Sequence, residues 1–279
     1  MKTYVIPYGW AGILIMIAGE LLLFTGNTFF GIWMTPVMWT GYILFVDNMI
    51  YGRTGSSLIM ASGKHLPVIL LISIASWLIF EGYNYLLENW YYINLPENTI
   101  VRYGGYAWSF ATITPGVLLT KDLLKSFCLF DKIRSTAFQI PARIQYTIIV
   151  VSIGLCMYPL VCPNEYLFPL VWVGFIFLID PLVHLMGGKS VIGDIMAGKP
   201  ALLYQLLTAG LICGLLWEFW NYWAAAKWIY TVPYFPKVKL FEMPVAGYLG
   251  FPPFAVECYV LYQFFKAVLE KAGLRLQYS

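Results

Sequence analysis

Glu81, Asn84 and Tyr85 recur 137 residues later as Glu218, Asn221 and Tyr222. Residues three and four apart share one face of a helix, so each trio is a polar stripe headed by a carboxyl. A carboxyl out of water favours its neutral form, which is a proton donor. A neighbouring Asn can hold its acidic proton or its carbonyl oxygen in place. The chemistry this suggests is acid–base, with Glu81 and Glu218 as proton donor and acceptor and Asn84 and Asn221 orienting them. Aromatic residues crowd both acids: Trp77, Tyr85, Trp217, Trp220 and Tyr222 would line an apolar pocket. Aromatic faces stabilise cations by roughly 0.5–2 kcal/mol each. An acid in such a pocket suits protonation of an alkene and shelter of the resulting carbocation. The competing reading is that the Glu–Asn pairs hydrogen-bond across helices and merely hold them together.

Four further acids lie in or at the ends of apolar runs. Glu257 follows the rigid Phe251-Pro252-Pro253-Phe254 stretch and is a third catalytic candidate; Glu20 is a candidate for the substrate site. Asp47 and Asp180 recur at equivalent helix ends. They read either as polar anchors near the lipid headgroups or as a second substrate-binding pair. His65 and His184 are the sole histidines and both fall near helix ends, which argues against a haem or a metal site. The five Cys form no C-x-x-C pair, and Cys156, Cys213 and Cys258 lie in apolar runs as buried free thiols. There is no P-loop, nucleophile elbow, H-E-x-x-H or mid-span lysine, so the site is read as free of cofactor and metal.

These residues must be positioned inside a membrane. Of the 279 residues 60% are hydrophobic and 11% charged, with mean hydropathy +0.72, whereas soluble domains carry roughly a quarter charged residues. That excludes a soluble enzyme, a disordered chain and a disulfide scaffold, and the net charge of +3 is too small to suggest nucleic acid as a partner. Eight apolar runs have spanning length, at about 8–25, 30–50, 67–87, 105–121, 143–161, 166–186, 201–224 and 246–267. The first lacks a small-residue cleavage site and is read as a span. With eight spans, 13 of the 17 Lys and Arg fall on one side, which places both termini in the cytoplasm by the positive-inside rule. The expected location is a multi-pass integral protein of a bacterial inner membrane.

The chain also repeats itself. Pro36, Trp39, Gly41, Ile43 and Asp47 match Pro169, Trp172, Gly174, Ile176 and Asp180, all 133 residues apart. The Glu–Asn–Tyr blocks follow, then Trp90 with Trp228 and Gly105-Tyr106 with Gly247-Tyr248. The expected fold is all-α: two parallel four-helix repeats related by a pseudo-twofold axis along the membrane normal. Residues 1–130 form the first repeat, 131–142 a cytoplasmic linker and 143–279 the second repeat. The cleft between repeats is where a site belongs.

Trp217 to Glu257 resembles the integral-membrane lycopene-cyclase domains and the related carotenoid hydratases. Those families show an acid before Asn-Tyr, an aromatic W-x-Y and a Pro-bearing loop. The matching residues are Glu218, Asn221-Tyr222, Trp228-Ile229-Tyr230, Pro233 and Met243-Pro244, with Glu81, Asn84-Tyr85, Trp90-Tyr91-Tyr92 and Pro96 in the first half. The resemblance implies proton-initiated chemistry on an isoprenoid. The pattern departs from the cyclases where their Asp precedes Asn-Tyr, since Trp220 and Tyr83 stand there. The leading expectation is an intramembrane enzyme acting on a hydrophobic isoprenoid or other lipid. The alternatives are a proton-coupled transporter or lipid-handling protein, marked by broken helices at equivalent positions, and a membrane assembly subunit.

Overall fold

The computed structural model describes residues 7–276 and 278; Lys2 and the side chain of Lys64, two of the charges counted above, lie outside the described residues. The protein is a helical membrane protein. Among the described residues six helices are long and apolar enough to cross a bilayer: α1 (Pro7–Phe24), α2 (Thr28–Thr54), α4 (Leu66–Leu87), α7 (Ala142–Val161), α8 (Phe168–Leu185) and α10 (Ala201–Trp223). Two short helices, α3 (Leu58–Ser62) and α9 (Val191–Met196), lie at the end of the bundle that carries the linker. Among the described residues three further α-helices are α5 (Thr99–Ala111), α6 (Ile113–Ser126) and α11 (Phe251–Lys271).

The run expected as one helix over 105–121 is broken. Pro115 has no N–H for the carbonyl four residues back, and its ring crowds that carbonyl. The chain therefore interrupts its helix at Thr112, between α5 and α6. Ser73 of α4 repairs the gap. Its hydroxyl donates to Phe110 O at 2.6 Å and accepts from Thr114 N at 2.9 Å, the two groups an unbroken helix would have joined. The last run breaks too. A 3₁₀ segment, Val245–Gly250, precedes α11, and Pro252 and Pro253 begin the new helix where missing N–H groups cost nothing.

The elements α6 and α11 form the centre. Every residue from Ile113 to Lys121, and every residue from Phe254 to Gln263, is buried. Both pack on α4 and on α10; α6 also packs on α2, and α11 on α8. The helices α1 and α7 lie outside, packed chiefly on α2 and α8 respectively, with α7 also touching α4, where the Tyr83 hydroxyl donates to the Cys156 carbonyl. Glycines permit the closest crossings. A Cβ on Gly41 would meet the Gly12 carbonyl at 2.9 Å, and one on Gly174 would meet Cys156 Sγ at 2.7 Å. At the centre, a Cβ on Gly210 would meet the Phe251 carbonyl at 2.3 Å, so α10 can seat the start of α11 only because that position is bare.

The all-α expectation needs one amendment. β1 (Trp90–Ile93) and β2 (Lys227–Tyr230) pair antiparallel, with Trp90 opposite Tyr230 and Tyr92 opposite Trp228. A second small ribbon joins β3 (Lys239–Leu240) to β4 (Met243–Pro244). The β1–β2 ribbon closes the end of the bundle opposite the linker and ties its two halves together.

Candidate functional site

Beneath the β1–β2 ribbon lies a cavity of about 620 Å³, within the roughly 300–1,000 Å³ of small-molecule sites. Its walls come from α2, α4, α5, α8, α10, α11 and the ribbon. Seven of the eleven tryptophans line it: Trp33, Trp39, Trp77 and Trp90 from one half, Trp172, Trp217 and Trp228 from the other. Phe254 forms part of the floor, with ring centroids 5.7 Å from Trp77 and 5.8 Å from Trp217.

The two repeated acids stand behind this wall and reach it through aromatic donors. Glu81 Oε1 accepts from Trp77 Nε1 at 2.8 Å, Trp90 Nε1 at 3.2 Å and the Tyr92 hydroxyl at 2.5 Å. Glu218 is wholly buried, and its Oε1 accepts from the Tyr230 hydroxyl at 2.9 Å. Among the described residues its Oε2 has no hydrogen-bond partner, and neither has Trp228 Nε1. Tyr92 and Tyr230 themselves line the cavity. Burial first, and the adjacent carboxyl second, push both phenols well above their ordinary range, so they remain protonated donors. Each half thus presents a phenol to the cavity with a carboxyl directly behind it.

Asn84 and Asn221 do not orient the acids, contrary to expectation. Asn84 Oδ1 accepts from Asn89 N and Trp90 N, at 2.9 and 3.0 Å, and its Nδ2 donates to Trp90 O. Asn221 Oδ1 accepts from Trp228 N at 3.0 Å while its Nδ2 donates to Trp228 O at 2.9 Å. Both clamp a strand onto the end of the preceding helix, which sets the W-x-Y hydroxyls over the carboxyls. Both Asn side chains share the helix face of their Glu, but the strand backbone that folds over the helix end occupies their hydrogen-bonding groups.

Other expected site residues fall elsewhere. Tyr85 is 84% exposed on the outer face of α4, and Tyr222 packs at the surface with Phe241 and under Lys227. Trp220 is buried beside Trp39 but lies off the cavity wall, its Nε1 donating to Glu20 Oε1 at 3.1 Å. Glu20 and Trp220 together line a lipid-side groove between α1, α2 and α10. Trp77 and Trp217 both line the cavity.

Asp47 and Asp180 lie away from the cavity and are occupied by groups of the chain itself. Asp47 accepts from Ile59 N and the Ser57 hydroxyl, both at 2.8 Å, and from the Tyr8 hydroxyl at 2.9 Å. Asp180 accepts from Val191 N at 2.8 Å and Ile192 N at 2.6 Å. Each therefore holds the first amides of a short helix, α3 or α9, at the linker end. The signal for this was present in the sequence, since Ser57-Leu58-Ile59 matches Ser190-Val191-Ile192 at the same 133-residue offset.

Glu257 is wholly buried on α11, which packs on α4, α6, α8 and α10, one turn beyond Phe254, and neither carboxyl oxygen has a partner among the described residues. It does not line the cavity. An unpaired buried polar group costs about 1–3 kcal/mol, so Glu257→Met is expected to raise stability by about that amount. A thermal melt of the purified protein reads this directly. A lowered midpoint would mean that the carboxyl has a stabilising partner.

All five cysteines are free, with Cys156, Cys213 and Cys258 buried. Comparison with protein-family models, with curated proteins and with solved structures finds no match for this chain.

Proposed function

We propose that the protein is an intramembrane enzyme that moves protons to and from an isoprenoid or other unsaturated lipid held in the aromatic cavity. The observation that carries this reading is the repeated phenol–carboxyl pair at the cavity wall, Tyr230 on Glu218 and Tyr92 on Glu81. With the proton on Glu218, the pair can relay it. For this the phenol hydroxyl turns so that its oxygen accepts from the protonated acid and its own proton points into the cavity; the acid's proton then passes to the phenol oxygen as the phenol's proton passes to an alkene carbon. A C–H bond forms from the π pair, a carbocation remains, and the carboxylate stays as its counter-charge. Tryptophan faces around the cavity lower the energy of that cation. The second pair, ending at Glu81, can accept a proton from a neighbouring carbon, and the C–H electrons close a new double bond. Proton number and charge balance, and no oxidant or reductant is needed. This is the cofactor-free chemistry implied by the resemblance to the carotenoid cyclases and hydratases.

The same reading takes the chain as two four-helix repeats with eight spans. In this scheme α5–α6 and the segment ending in α11 are the fourth helix of each repeat. The break leaves α5 and α6 each shorter than a bilayer-spanning helix, and the central stretches of α6 and α11 carry polar residues such as Lys121 and Glu257 because protein, not lipid, surrounds them. Support comes from features that occur once in each half: the Asp-held short helix, the Asn-clamped strand, the phenol on the acid and the helix broken before the centre. The ribbon end is then extracytoplasmic and both termini are cytoplasmic, in a bacterial inner membrane.

The test is a comparison of lipid extracts from cells with and without the protein. One isoprenoid or unsaturated lipid is expected to be replaced by an isomer, a cyclised form or a hydrate. Extracts that match, from cells shown to contain the folded protein, would contradict the proposal, as would Glu81→Gln and Glu218→Gln variants that both leave the product in place. One observation favours a second reading, a proton-coupled transporter. Both halves interrupt the helix that enters the centre, and broken helices at equivalent positions mark carriers. Proton uptake by sealed vesicles without conversion of any lipid would select that reading.

A further inference from the structure

An aromatic cage of this size could serve a quaternary ammonium ion, and the charges on its wall decide against that. Among the described residues that line the cavity, the charged side chains are Arg102 and Lys227, and no Asp or Glu lines it. Lys227 is already neutralised. Its Nζ lies 2.6 Å from Glu242 Oε1, donates to the Tyr222 carbonyl at 3.2 Å and sits over the Tyr222 ring. Arg102 makes no ion pair among the described residues. Its Nε donates to the Pro96 carbonyl at 2.8 Å and one Nη to the Glu97 carbonyl at 3.4 Å. These bonds hold the half-buried guanidinium in one orientation and leave its charge and remaining donors unmatched. Arg102 belongs to the first turn of α5 at the ribbon end, so its charge stands at the rim, above a chamber otherwise walled by apolar and aromatic groups. Elsewhere on the wall, the Trp39 Nε1–H and the Thr35 hydroxyl are buried and have no partner among the described residues.

We infer that the cavity takes an amphiphile: an apolar chain inside, with an anionic oxygen headgroup, carboxylate or phosphate, bound at the rim by Arg102. This rests on the proposal that the cavity is the substrate site, and it narrows the substrate from any lipid to one with an acidic head. A fixed guanidinium matches planar carboxylate or phosphate oxygens through two parallel N–H bonds. A hydrocarbon would leave that charge unpaired at the rim.

The tryptophans report occupancy directly, because seven of the eleven line the cavity. Bromine quenches indole emission, so the probes are four chains of equal length brominated at mid-chain: a fatty acid, an alkyl phosphate, a fatty alcohol and a hydrocarbon. They are titrated into the purified protein in non-ionic detergent at neutral pH. The acid or the phosphate is expected to bind about ten- to a hundred-fold more tightly than the alcohol, and whichever binds tighter identifies the head. Arg102→Gln is expected to bring the preferred anion to within about three-fold of the alcohol, while Arg102→Lys retains part of the preference. If the wild-type protein binds acid, phosphate and alcohol alike, the headgroup inference is overturned while the cavity remains a lipid site. A preference that survives Arg102→Gln also overturns it. If no probe quenches saturably, the proposed substrate site itself falls. The wild-type comparison stands even if the Gln variant does not fold.

Discussion

Tyr230→Phe is expected to lower turnover roughly 100- to 10,000-fold, the usual contribution of a positioned acid or base, while chain binding in the cavity changes little. The ring stays and keeps the wall intact; the hydroxyl that connects Glu218 to the cavity is lost. Tyr92→Phe should have the smaller effect, and the geometry says why. Glu81 keeps two indole donors, Trp77 and Trp90, when Tyr92 is removed, whereas Tyr230 is the only hydrogen-bond donor to Glu218 among the described residues. The measurement pairs the rate of product formation with quenching by a brominated chain on the same preparation. Unchanged turnover in Tyr230→Phe would remove the relay from the account. A parallel loss of binding and turnover would make the residue structural.

The second large effect concerns stability. Asn84 satisfies three backbone groups, Asn89 N, Trp90 N and Trp90 O, and Asn221 satisfies two, Trp228 N and Trp228 O. A buried backbone group left unpaired costs about 1–3 kcal/mol. Asn221→Leu is therefore expected to cost about 2–4 kcal/mol and Asn84→Leu somewhat more. Asn221→Asp, which keeps the acceptor for Trp228 N, should lose less than Asn221→Leu. Thermal unfolding in detergent measures the cost, and hydrogen exchange should show the β1–β2 amides opening first. If the Asn side chains instead orient the acids, the Leu variants would keep their melting temperature and lose only turnover.

These two predictions separate what the sequence could reveal from what it could not. Apolar run lengths located α1, α2, α4, α7, α8 and α10 to within a few residues, because a lipid-facing helix must be continuously apolar. The same logic blurred the fourth run of each half. There the surroundings are protein, so Thr, Pro, Lys121 and Glu257 are tolerated and the helix can break at Thr112. Glu81 and Glu218 stood out because a carboxyl in an apolar run is expensive. Their partners were harder to see. Tyr92 and Tyr230 lie 11 and 12 residues along the chain from the acids they bind, and the connection depends on strands folding back over the helix ends. The recurring W-x-Y was visible, but its register against the acid was not. Arg102 had no repeat partner to draw attention to it. Its role emerges from what else lines the cavity, which a sequence pattern does not contain.

The central claim is that the phenol–carboxyl pairs deliver a solvent-derived proton to carbon. The most direct test incubates the reconstituted protein in D2O with the lipid extract of cells that lack it, followed by mass analysis of the lipids. The expected result is one non-exchangeable deuterium in a single unsaturated lipid or its product, lost when Tyr230→Phe and Tyr92→Phe are combined. No carbon-bound deuterium with the wild-type protein, or equal incorporation by the double variant, would contradict the account.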